Sequence, residues 1–359
     1  MTNRSKKILL ATGGSGGHIF PAVSVADILK KNGYKVCIVS DDIINKYLPT
    51  IDHDVEIINT SKNYKSINGI KNILFAILKA RKFIKKFSPD LTIGFGSYAT
   101  FPILLSCLSL KTPFIIHEQN AYMGIVNKFF SKYSKKIMIS YNEIYGFDFY
   151  NNNIFIFTGS PVRNAVKSLY KSQYALDNNI FNILITGGSL GAKFFSETLP
   201  KVFDKKHCDK QNKIRVYHQV QTDYIDKVRE YYKEIGLNAV ISPFFNNIHE
   251  LLDKANLVIG RSGNGTLTET SIAGKPAILI PLPTSASNHQ EINARNFEKN
   301  GAAIVFLEND ISNNIKKFRT ILFNLIDDKD KLIKMSENMK KNAVVDGDEN
   351  ILKIVNDFF

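Results

Sequence analysis

The chain opens with a glycine-rich loop that ends in a histidine. Residues 11–18 read Ala-Thr-Gly-Gly-Ser-Gly-Gly-His and follow an apolar run at residues 7–10. Glycines leave backbone N–H groups accessible, and a helix predicted over residues 22–30 would add partial positive charge, so the loop suits a phosphate group. His18 adds a side chain that can carry a proton near neutral pH. The spacing therefore predicts anion binding beside an acid–base group.

This loop matches neither of the two common nucleotide-binding motifs. It lacks the Gly-Lys-Ser/Thr ending of a P-loop, and Ile19 stands where the Gly-x-Gly-x-x-Gly fingerprint has its last glycine. The missing glycine disfavours a nicotinamide-dependent dehydrogenase, which would use Asp41 or Asp42 after the second strand. A module that binds a nucleotide sugar without chemistry stays open as an alternative.

A second loop repeats the first one later in the chain. Residues 181–192 give an apolar run, Thr-Gly-Gly-Ser and a further glycine. Strand and helix patterns alternate around both loops, which predicts an α/β protein with two parallel-sheet domains. We expect an N-terminal domain at 1–158, completed by a helix at about 340–359, and a C-terminal domain at 159–339. Ligands bind beyond the carboxyl ends of such strands, so both loops should face a cleft.

Two further stretches carry polar residues at the ends of predicted strands. Residues 261–269, Arg-Ser-Gly-Asn-Gly-Thr-Leu-Thr-Glu, open a helix predicted to stop at Gly274. Its N-terminus suits a diphosphate, and Glu269 could accept hydrogen bonds from ribose hydroxyls or simply offset the helix dipole. Residues 288–294, rich in amides, suit a sugar or are ordinary loop and cap residues.

The charge balance favours anionic partners. Lysine and arginine total 47 against 33 acidic residues, a formal net charge of +14. Phosphorylated metabolites or an acidic membrane surface fit this excess, whereas no zinc-finger spacing or RNA-binding aromatic motif indicates nucleic acid. The polar start and the absence of an apolar run of about 20 residues predict neither a signal peptide nor a membrane span. We expect a cytoplasmic protein with no metal-ligand cluster.

Residues 67–87 predict a basic amphipathic helix. Apolar residues recur at helical spacing, and basic residues lie between them, namely Lys71, Lys79, Arg81, Lys82, Lys85 and Lys86. The helix can pack on a core, or it can lie on an anionic membrane, where each cation near the surface contributes about 1 kcal/mol. Phe75 bears on this choice because it falls outside the main apolar face, beside the lysines.

Taken together, the motifs resemble one family. They occur in a fixed order at residues 13–18, 94–98, 117–120, 159–163, 187–192, 261–269 and 289–294. In this order they resemble the MurG family of N-acetylglucosaminyltransferases, which make lipid II for peptidoglycan. The resemblance spans nearly the whole chain and implies a GT-B glycosyltransferase with two Rossmann-like domains. Such an enzyme moves N-acetylglucosamine from UDP-N-acetylglucosamine to the C4 hydroxyl of the muramoyl unit of lipid I, with inversion and release of UDP.

The resemblance also implies a set of binding residues. The UDP-sugar would be held by Ser15, Gly16, Gly17, Asn120, Arg163, Ser189, Phe245, Asn264, Gly265, Thr266, Leu267, Thr268, Glu269 and Gln290. Arg163 and Ser189 would face the diphosphate, and Phe245 would bind the uracil through its backbone. Glu269 would bind the ribose and Gln290 the sugar hydroxyls. The diphosphate of the acceptor would lie against Gly13, Gly14, Gly96, Ser97 and Tyr98.

Two residues compete for the role of general base. His18 is the candidate that the resemblance implies, and Glu118 is its rival, with the alternative role of orienting His117 or its own loop through a hydrogen bond. No cofactor is required, although a divalent ion such as Mg²⁺ could help to neutralise the diphosphate. The resemblance implies a peripheral protein at the cytoplasmic face of the cell membrane, docked through residues 67–87. A UDP-N-acetylglucosamine 2-epimerase is the nearest rival, and it would need acid/base carboxylates around the sugar.

Overall fold

The chain forms two compact units. The computed structural model describes residues 4–147, 154–176, 180–188, 192–205 and 213–359. The first unit comprises residues Met1–Arg163 and Val344–Phe359, and the second comprises Asn164–Ala343. In both units, buried apolar strands alternate with helices, as parallel sheets covered on two faces require.

In the first unit, the described strands pair in parallel in the order β3-β2-β1-β4-β5-β6-β7. The strands are β1 (Lys7–Ala11), β2 (Lys35–Ser40), β3 (Asp54–Ile57), β4 (Leu91–Gly94), β5 (Phe114–Glu118), β6 (Ile137–Ile139) and β7 (Phe155–Phe157). The helices between them are α1 (Gly16–Lys31), α2 (Ile67–Phe87), α3 (Phe101–Ser109) and α4 (Ile125–Phe130).

In the second unit, the order is β10-β9-β8-β11-β12-β13, again parallel. The strands are β8 (Phe181–Thr186), β9 (Ile214–Gln219), β10 (Asn238–Ser242), β11 (Leu257–Gly260), β12 (Ala277–Leu279) and β13 (Ala303–Val305). The helices are α5 (Asn164–Lys167), α6 (Lys193–Glu197), α7 (Ile225–Glu234), α8 (Ile248–Lys254), α9 (Asn264–Ala273), α10 (His289–Lys299), α11 (Glu308–Asn313), α12 (Ile315–Asp327) and α13 (Lys329–Lys341).

The two sheets share one topology. In each, the chain runs outward from a central strand to one edge and then returns to the other side of that strand. The direction therefore reverses between β1 and β4 in the first unit and between β8 and β11 in the second. This is the Rossmann order, in which ligands bind at the carboxyl ends of the strands beside the reversal. The predicted α/β class with two Rossmann-like parallel sheets is confirmed.

Helix α1 begins earlier than the sequence pattern predicts. Pro21 lies inside it, and prolines usually mark helix starts or ends, which is why the prediction placed the helix at 22–30. The helix starts at Gly16 because the carbonyl of Ser15 accepts hydrogen bonds from the N–H groups of His18 and Ile19, both at 3.1 Å. His18 therefore belongs to the first turn of α1 rather than to a loop.

The last helix of the chain, α14 (Gly347–Asn356), belongs to the first unit. Ile351 and Val355 are fully buried in the same apolar cluster as Ile8, Leu10 and Ile19. The side chain of Tyr34 donates a hydrogen bond of 2.7 Å to Asn356. The C-terminal segment is thus part of the core around β1 and α1.

Helix α2 buries only a narrow stripe. Ala76, Ala80 and Ile84 are at most 2% exposed and lie in the core cluster with residues of α3 and β5. The larger apolar residues point outward, with exposed fractions of 75% at Ile67, 47% at Ile70, 56% at Leu74, 70% at Phe75 and 63% at Leu78. The small side chains of Ala76 and Ala80 bring the helix close to α3, while these five bulky side chains stay on the surface. Among the described helices, none is long and apolar enough to cross a membrane.

The buried position of α14 leads to a stability prediction. Replacing Ile351 by alanine removes a fully buried side chain from the first unit, and we expect it to lower the free energy of unfolding by about 2–5 kcal/mol. Urea denaturation followed by circular dichroism measures this change. Lys353→Ala, on the exposed face of the same helix, is the matched control, and equal stabilities of the two variants would contradict the packing described here.

Candidate functional site

The pairing of β1 with β4 brings two loops of the first unit together. Ala11 pairs with Gly94, and the N–H of Phe95 donates a 2.8 Å hydrogen bond to the Ala11 carbonyl. The glycine-rich loop after β1 therefore lies directly beside Gly96, Ser97 and Tyr98 after β4. A Cβ on Gly14 would collide with the Ser97 side chain, and Gly14 has a φ of +77°, so glycine is required at this contact.

A buried carboxylate ties these loops together. Asp41 follows β2 and is 2% exposed. Its oxygens accept hydrogen bonds from the Gly14 N–H at 3.1 and 3.2 Å and from the Tyr98 hydroxyl at 2.5 Å. Burial and the Asp41 carboxylate raise the pKa of Tyr98, which keeps its hydroxyl a donor. The dehydrogenase alternative would use Asp41 to bind its cofactor, a role that these bonded oxygens disfavour.

The Asp41 contacts limit which donors of the first unit can reach an anion. The Gly14 N–H and the Tyr98 hydroxyl are already bonded to a carboxylate. The Ser97 hydroxyl accepts from the Ala99 N–H at 3.3 Å and keeps its own hydrogen to donate. Gly16 and Gly17 lie in the first turn of α1, where a helix offers no carbonyl to the backbone N–H groups. These N–H groups are the better anion donors of the loop.

His18 is held by oxygens on one side of its ring. Its Nδ1 lies 2.9 Å from the carbonyl oxygen of Phe95 and 3.0 Å from Oε1 of Gln119. A backbone carbonyl can only accept a hydrogen bond, so Nδ1 carries the proton of the neutral ring. Nε2 is then the nitrogen with a lone pair, which is the property that a general base needs.

Glu118, the rival base, is 2% exposed and fully engaged with its own loop. Oε1 accepts from the backbone N–H of Asn120 at 2.9 Å and from its side-chain amide at 3.3 Å. Oε2 accepts from the Gly124 N–H at 2.9 Å and from the Asn127 amide at 2.8 Å. These contacts match the loop-orienting alternative, since both carboxylate oxygens hold backbone and side-chain N–H groups of residues 120–127.

The end of β5 also positions residues 159–163, where the N-terminal part of the first unit ends. His117 is fully buried, and its Nε2 lies 3.0 Å from the carbonyl oxygen of Gly159. Burial lowers the pKa of His117 to about 4, so it is neutral at physiological pH. At the end of this segment, the Arg163 guanidinium lies over the Phe20 ring at 4.8 Å. The 117–120 and 159–163 motifs are therefore parts of one arrangement around α1.

In the second unit, the start of α9 is fixed by buried contacts. Arg261 donates to the carbonyl oxygens of Ile280 and Pro281 at 3.0 Å and pairs with Glu308. The backbone at Asn264, Gly265 and Thr266 forms the first turn of the helix, which ends at Gly274 with a φ of +61° as predicted. Thr268 and Glu269 lie partly exposed one turn further on.

Leu267 differs from its neighbours in this predicted binding set. It is fully buried, and its N–H donates to the Gly263 carbonyl at 3.1 Å. Neither its side chain nor its N–H is presented to a ligand, so its part in the site is to anchor the helix.

Gln290 is oriented beside the start of α9. Its Oε1 accepts from the Leu282 N–H at 3.0 Å, and its own carbonyl accepts from the Ser262 hydroxyl at 2.7 Å. Its Nε2 lies 3.8 Å from the position that a Cβ on Gly263 would occupy. The amide nitrogen is thus turned toward the helix N-terminus, where a sugar hydroxyl could accept its hydrogen bond.

Gln219, at the end of β9, links the second glycine-rich loop to the segment that carries Phe245. Its Oε1 accepts from the Thr186 hydroxyl at 2.8 Å, and its Nε2 donates to the carbonyls of Gly188 at 3.0 Å and Pro243 at 3.2 Å. Ser189 itself lies outside the described residues. The predicted donor residues of this unit that the structure describes therefore follow the carboxyl ends of β10, β11 and β12.

The sequence reasoning missed three residues that organise these loops, namely Asp41, Gln119 and Gln219. Each directly follows or ends a strand on the loop side of its sheet, and that position is the signal that could have identified them. Within the described ranges, no group of three or more His, Cys, Asp or Glu residues could hold a metal ion.

Comparisons with known proteins identify the family. Residues 8–139 match the glycosyltransferase family 28 N-terminal domain, and residues 182–351 match the family 28 C-terminal domain. The UDP-N-acetylglucosamine--N-acetylmuramyl-(pentapeptide) pyrophosphoryl-undecaprenol N-acetylglucosamine transferase of Wolbachia pipientis wMel is 36% identical over 351 residues, which cover 97% of this chain and 98% of the relative. The protein of the same name from Caulobacter vibrioides (strain NA1000 / CB15N) is 31% identical over 357 residues, with 98% of both chains covered.

Solved structures show the same fold. The crystal structure of Acinetobacter baumannii MurG superposes with a TM-score of 0.76 at 24% identity, covering 98% of this chain and 99% of the other. A putative UDP-N-acetylglucosamine 2-epimerase from Listeria monocytogenes gives a TM-score of 0.67 at 15% identity, with 99% and 97% covered. At these identities the likeness concerns the fold alone. The alignments to the Wolbachia and Caulobacter transferases have 36% and 31% identity and cover 97% and 98% of the chain. This chain therefore belongs to the MurG family of glycosyltransferases.

Proposed function

We propose that this protein transfers N-acetylglucosamine from UDP-N-acetylglucosamine to the C4 hydroxyl of the muramoyl unit of lipid I, giving lipid II and UDP for peptidoglycan synthesis. The names of its full-length relatives support this substrate pair. The observation that carries the chemistry is the His18 ring, whose Nδ1 is held by the Phe95 carbonyl and which therefore keeps its basic lone pair on Nε2.

The second unit would bind the donor. The first-turn N–H groups of α9 and the positive end of its dipole would stabilise the diphosphate, and Ser189 would add a hydroxyl there. Glu269 would accept from the ribose hydroxyls, the backbone of Phe245 would bind the uracil, and Gln290 would donate to the sugar. Leu267 would serve only as an anchor because it is fully buried.

The first unit would bind the acceptor and supply the base. Gly16 and Gly17 offer first-turn N–H groups to an anion or a sugar oxygen, and Arg163 adds positive charge for the leaving diphosphate. Gly13, Gly14, Gly96, Ser97 and Tyr98 would shape the acceptor side of this loop, while Asn120 would contact the donor sugar. His18 Nε2 would take the proton of the attacking hydroxyl as the bond to the anomeric carbon forms and the bond to UDP breaks.

One observation makes a 2-epimerase the weaker alternative. Such an enzyme needs acid/base carboxylates around the sugar. Glu118 and Asp41, the two buried carboxylates at the loops of the first unit, direct their oxygens to the protein's own N–H and O–H donors.

The direct test is acceptor-dependent release of UDP. Purified protein is incubated with labelled UDP-N-acetylglucosamine, with and without a short-chain analogue of lipid I, and the products are separated by chromatography. We expect UDP and a labelled disaccharide lipid only when the acceptor is present. A free epimer of the sugar, or no turnover with the acceptor, would reject the proposal.

The role of His18 gives a kinetic prediction. His18→Ala removes the base, and we expect kcat to fall about 10²–10⁴-fold, as loss of general-base catalysis does. Affinity for UDP, measured by calorimetry, should change little because the donor residues stay intact. His53→Ala is the matched control, since His53 contacts Asp27 at 2.7 Å and lies outside the proposed site. Near-normal turnover of His18→Ala would remove His18 from this role.

We further propose that α2 docks the protein on the cytoplasmic face of the cell membrane. Its exposed residues, Ile67, Ile70, Leu74, Phe75 and Leu78, form an outward apolar row, and α4 exposes Ile125 to 77%. Exposed lysines Lys71, Lys82, Lys85 and Lys86 border this row. An apolar face edged by cations suits a surface of anionic lipid.

Vesicle flotation tests the docking surface. The double variant Leu74→Ser/Phe75→Ser should bind vesicles with anionic lipid about tenfold more weakly or worse, since it removes two large apolar side chains from the contact. Ile333→Ser is the matched control, because Ile333 is 44% exposed on α13 of the second unit. Unchanged binding of the double variant would contradict α2 docking, and equal binding of the native protein to neutral vesicles would remove the electrostatic part.

A further inference from the structure

Gln119 lies where the proposed base meets the interior of the first unit. It directly follows β5, is 1% exposed, and turns its Oε1 to within 3.0 Å of His18 Nδ1. The resemblance to the MurG family assigned this residue no role. Its side chain contacts Nδ1, whereas Nε2 is the proposed basic atom, so its effect on chemistry would act through the His18 ring.

The orientation of the Gln119 amide follows from its neighbours. The Phe95 carbonyl, 2.9 Å from the same nitrogen, requires a proton on Nδ1. Only the oxygen of the Gln119 amide can then face Nδ1, because its nitrogen is a donor. The backbone of His18 belongs to the first turn of α1. Its ring is held by the Phe95 carbonyl after β4 and by the Gln119 side chain after β5.

This orientation leaves a polar atom of Gln119 unsatisfied. Within the described part of the chain, Nε2 of Gln119 is buried and has no hydrogen-bond partner. A buried donor without a partner costs about 1–3 kcal/mol. An apolar residue of similar size would avoid this cost, so packing and stability do not explain a glutamine here. Folded proteins retain a buried polar group without a hydrogen-bond partner mainly at functional sites.

We infer that Gln119 is a positioning residue for catalysis: its side-chain oxygen holds the His18 ring in the tautomer and orientation that place the basic lone pair on Nε2. The inference deepens the proposed function and rests on His18 as the base. A third group that orients the base recurs in other acid–base sites, where it is often a carboxylate. A neutral amide gives the same orientation without adding a negative charge beside the ring.

The charged and titratable groups around His18 define what a pH profile will report. His117, which lies on β5 two residues before Gln119, is neutral above a pKa of about 4. Asp41 bonds to Gly14 ahead of α1, Arg163 lies over Phe20 on α1, and Glu118 faces its own loop. These charges are present in native protein and in variants alike, so a difference between the profiles reports the residue at position 119.

The test compares Gln119→Glu and Gln119→Met in the full-length protein. Gln119→Glu keeps the oxygen and adds a negative charge, which favours protonated His18, so the acid limb of the kcat/KM profile should move up by about one pH unit or more. Activity should recover above that limb. Gln119→Met removes the acceptor, and we expect kcat to fall about tenfold with KM for the donor within about twofold. Gln221→Glu, with the same added charge on the second unit, should leave the profile unchanged.

A spectroscopic readout separates this inference from the proposed function. In ¹⁵N-histidine-labelled native protein, the His18 signals should show a proton on Nδ1, and Gln119→Met should populate the other tautomer or a mobile ring. If His18→Ala retains turnover while the tautomer still depends on position 119, the base assignment fails and the positioning stands. Unchanged pH profiles and an unchanged tautomer in both Gln119 variants would overturn the inference.

Discussion

The reversal of strand order beside β1 and β8 is the constraint on which the rest of the structure depends. In the first unit, parallel pairing of β1 with β4 places the loops that follow these two strands next to each other. In the second unit, pairing of β8 with β11 does the same for the loops after those strands. Each pair lies at a helix N-terminus, where backbone N–H groups and the dipole favour anions. The same topology therefore produces an anion-ready loop twice, and the residues around each loop decide what it does.

Buried side chains with oxygen acceptors hold these loops in place. Asp41 ties Gly14 to Tyr98, Glu118 closes the loop from Asn120 to Asn127, and Gln219 joins Gly188 to Pro243. Both carboxylates accept hydrogen bonds from the protein's own donors, and this is consistent with the proposal that the partly buried His18 is the base. Helix α2 packs on the core through Ala76, Ala80 and Ile84 and exposes five other large apolar residues between Ile67 and Leu78.

Much of the fold was predictable because it follows from local patterns. The apolar runs and glycine-rich turns indicated the strands that flank both reversals. The helical spacing of residues 67–87 predicted α2, and Gly274 marked the end of α9. The family was also predicted correctly from ordered motifs. The strand β7 was not predicted, and Pro21 concealed the first turn of α1.

The internal partners of the site could not be predicted, because they depend on tertiary contacts. Nothing in the residues around Asp41 shows that its oxygens bond to Gly14 and Tyr98, which are distant in sequence. The same holds for Gln119 and Phe95, which meet His18 only after β1, β4 and β5 pair. Periodicity placed apolar residues on one side of α2 but could not tell that Ala76 and Ala80 would be the buried ones.

The stereochemistry of the product tests the central claim most directly. A base that activates the acceptor for direct displacement inverts the anomeric carbon. A double displacement retains its configuration, because an enzyme nucleophile first displaces UDP and the acceptor then displaces that nucleophile. The donor sugar is α-linked to UDP, so the account predicts a β-linked product, recognised by the large coupling constant of its anomeric proton in NMR spectra. An α-linked product would contradict direct displacement assisted by His18.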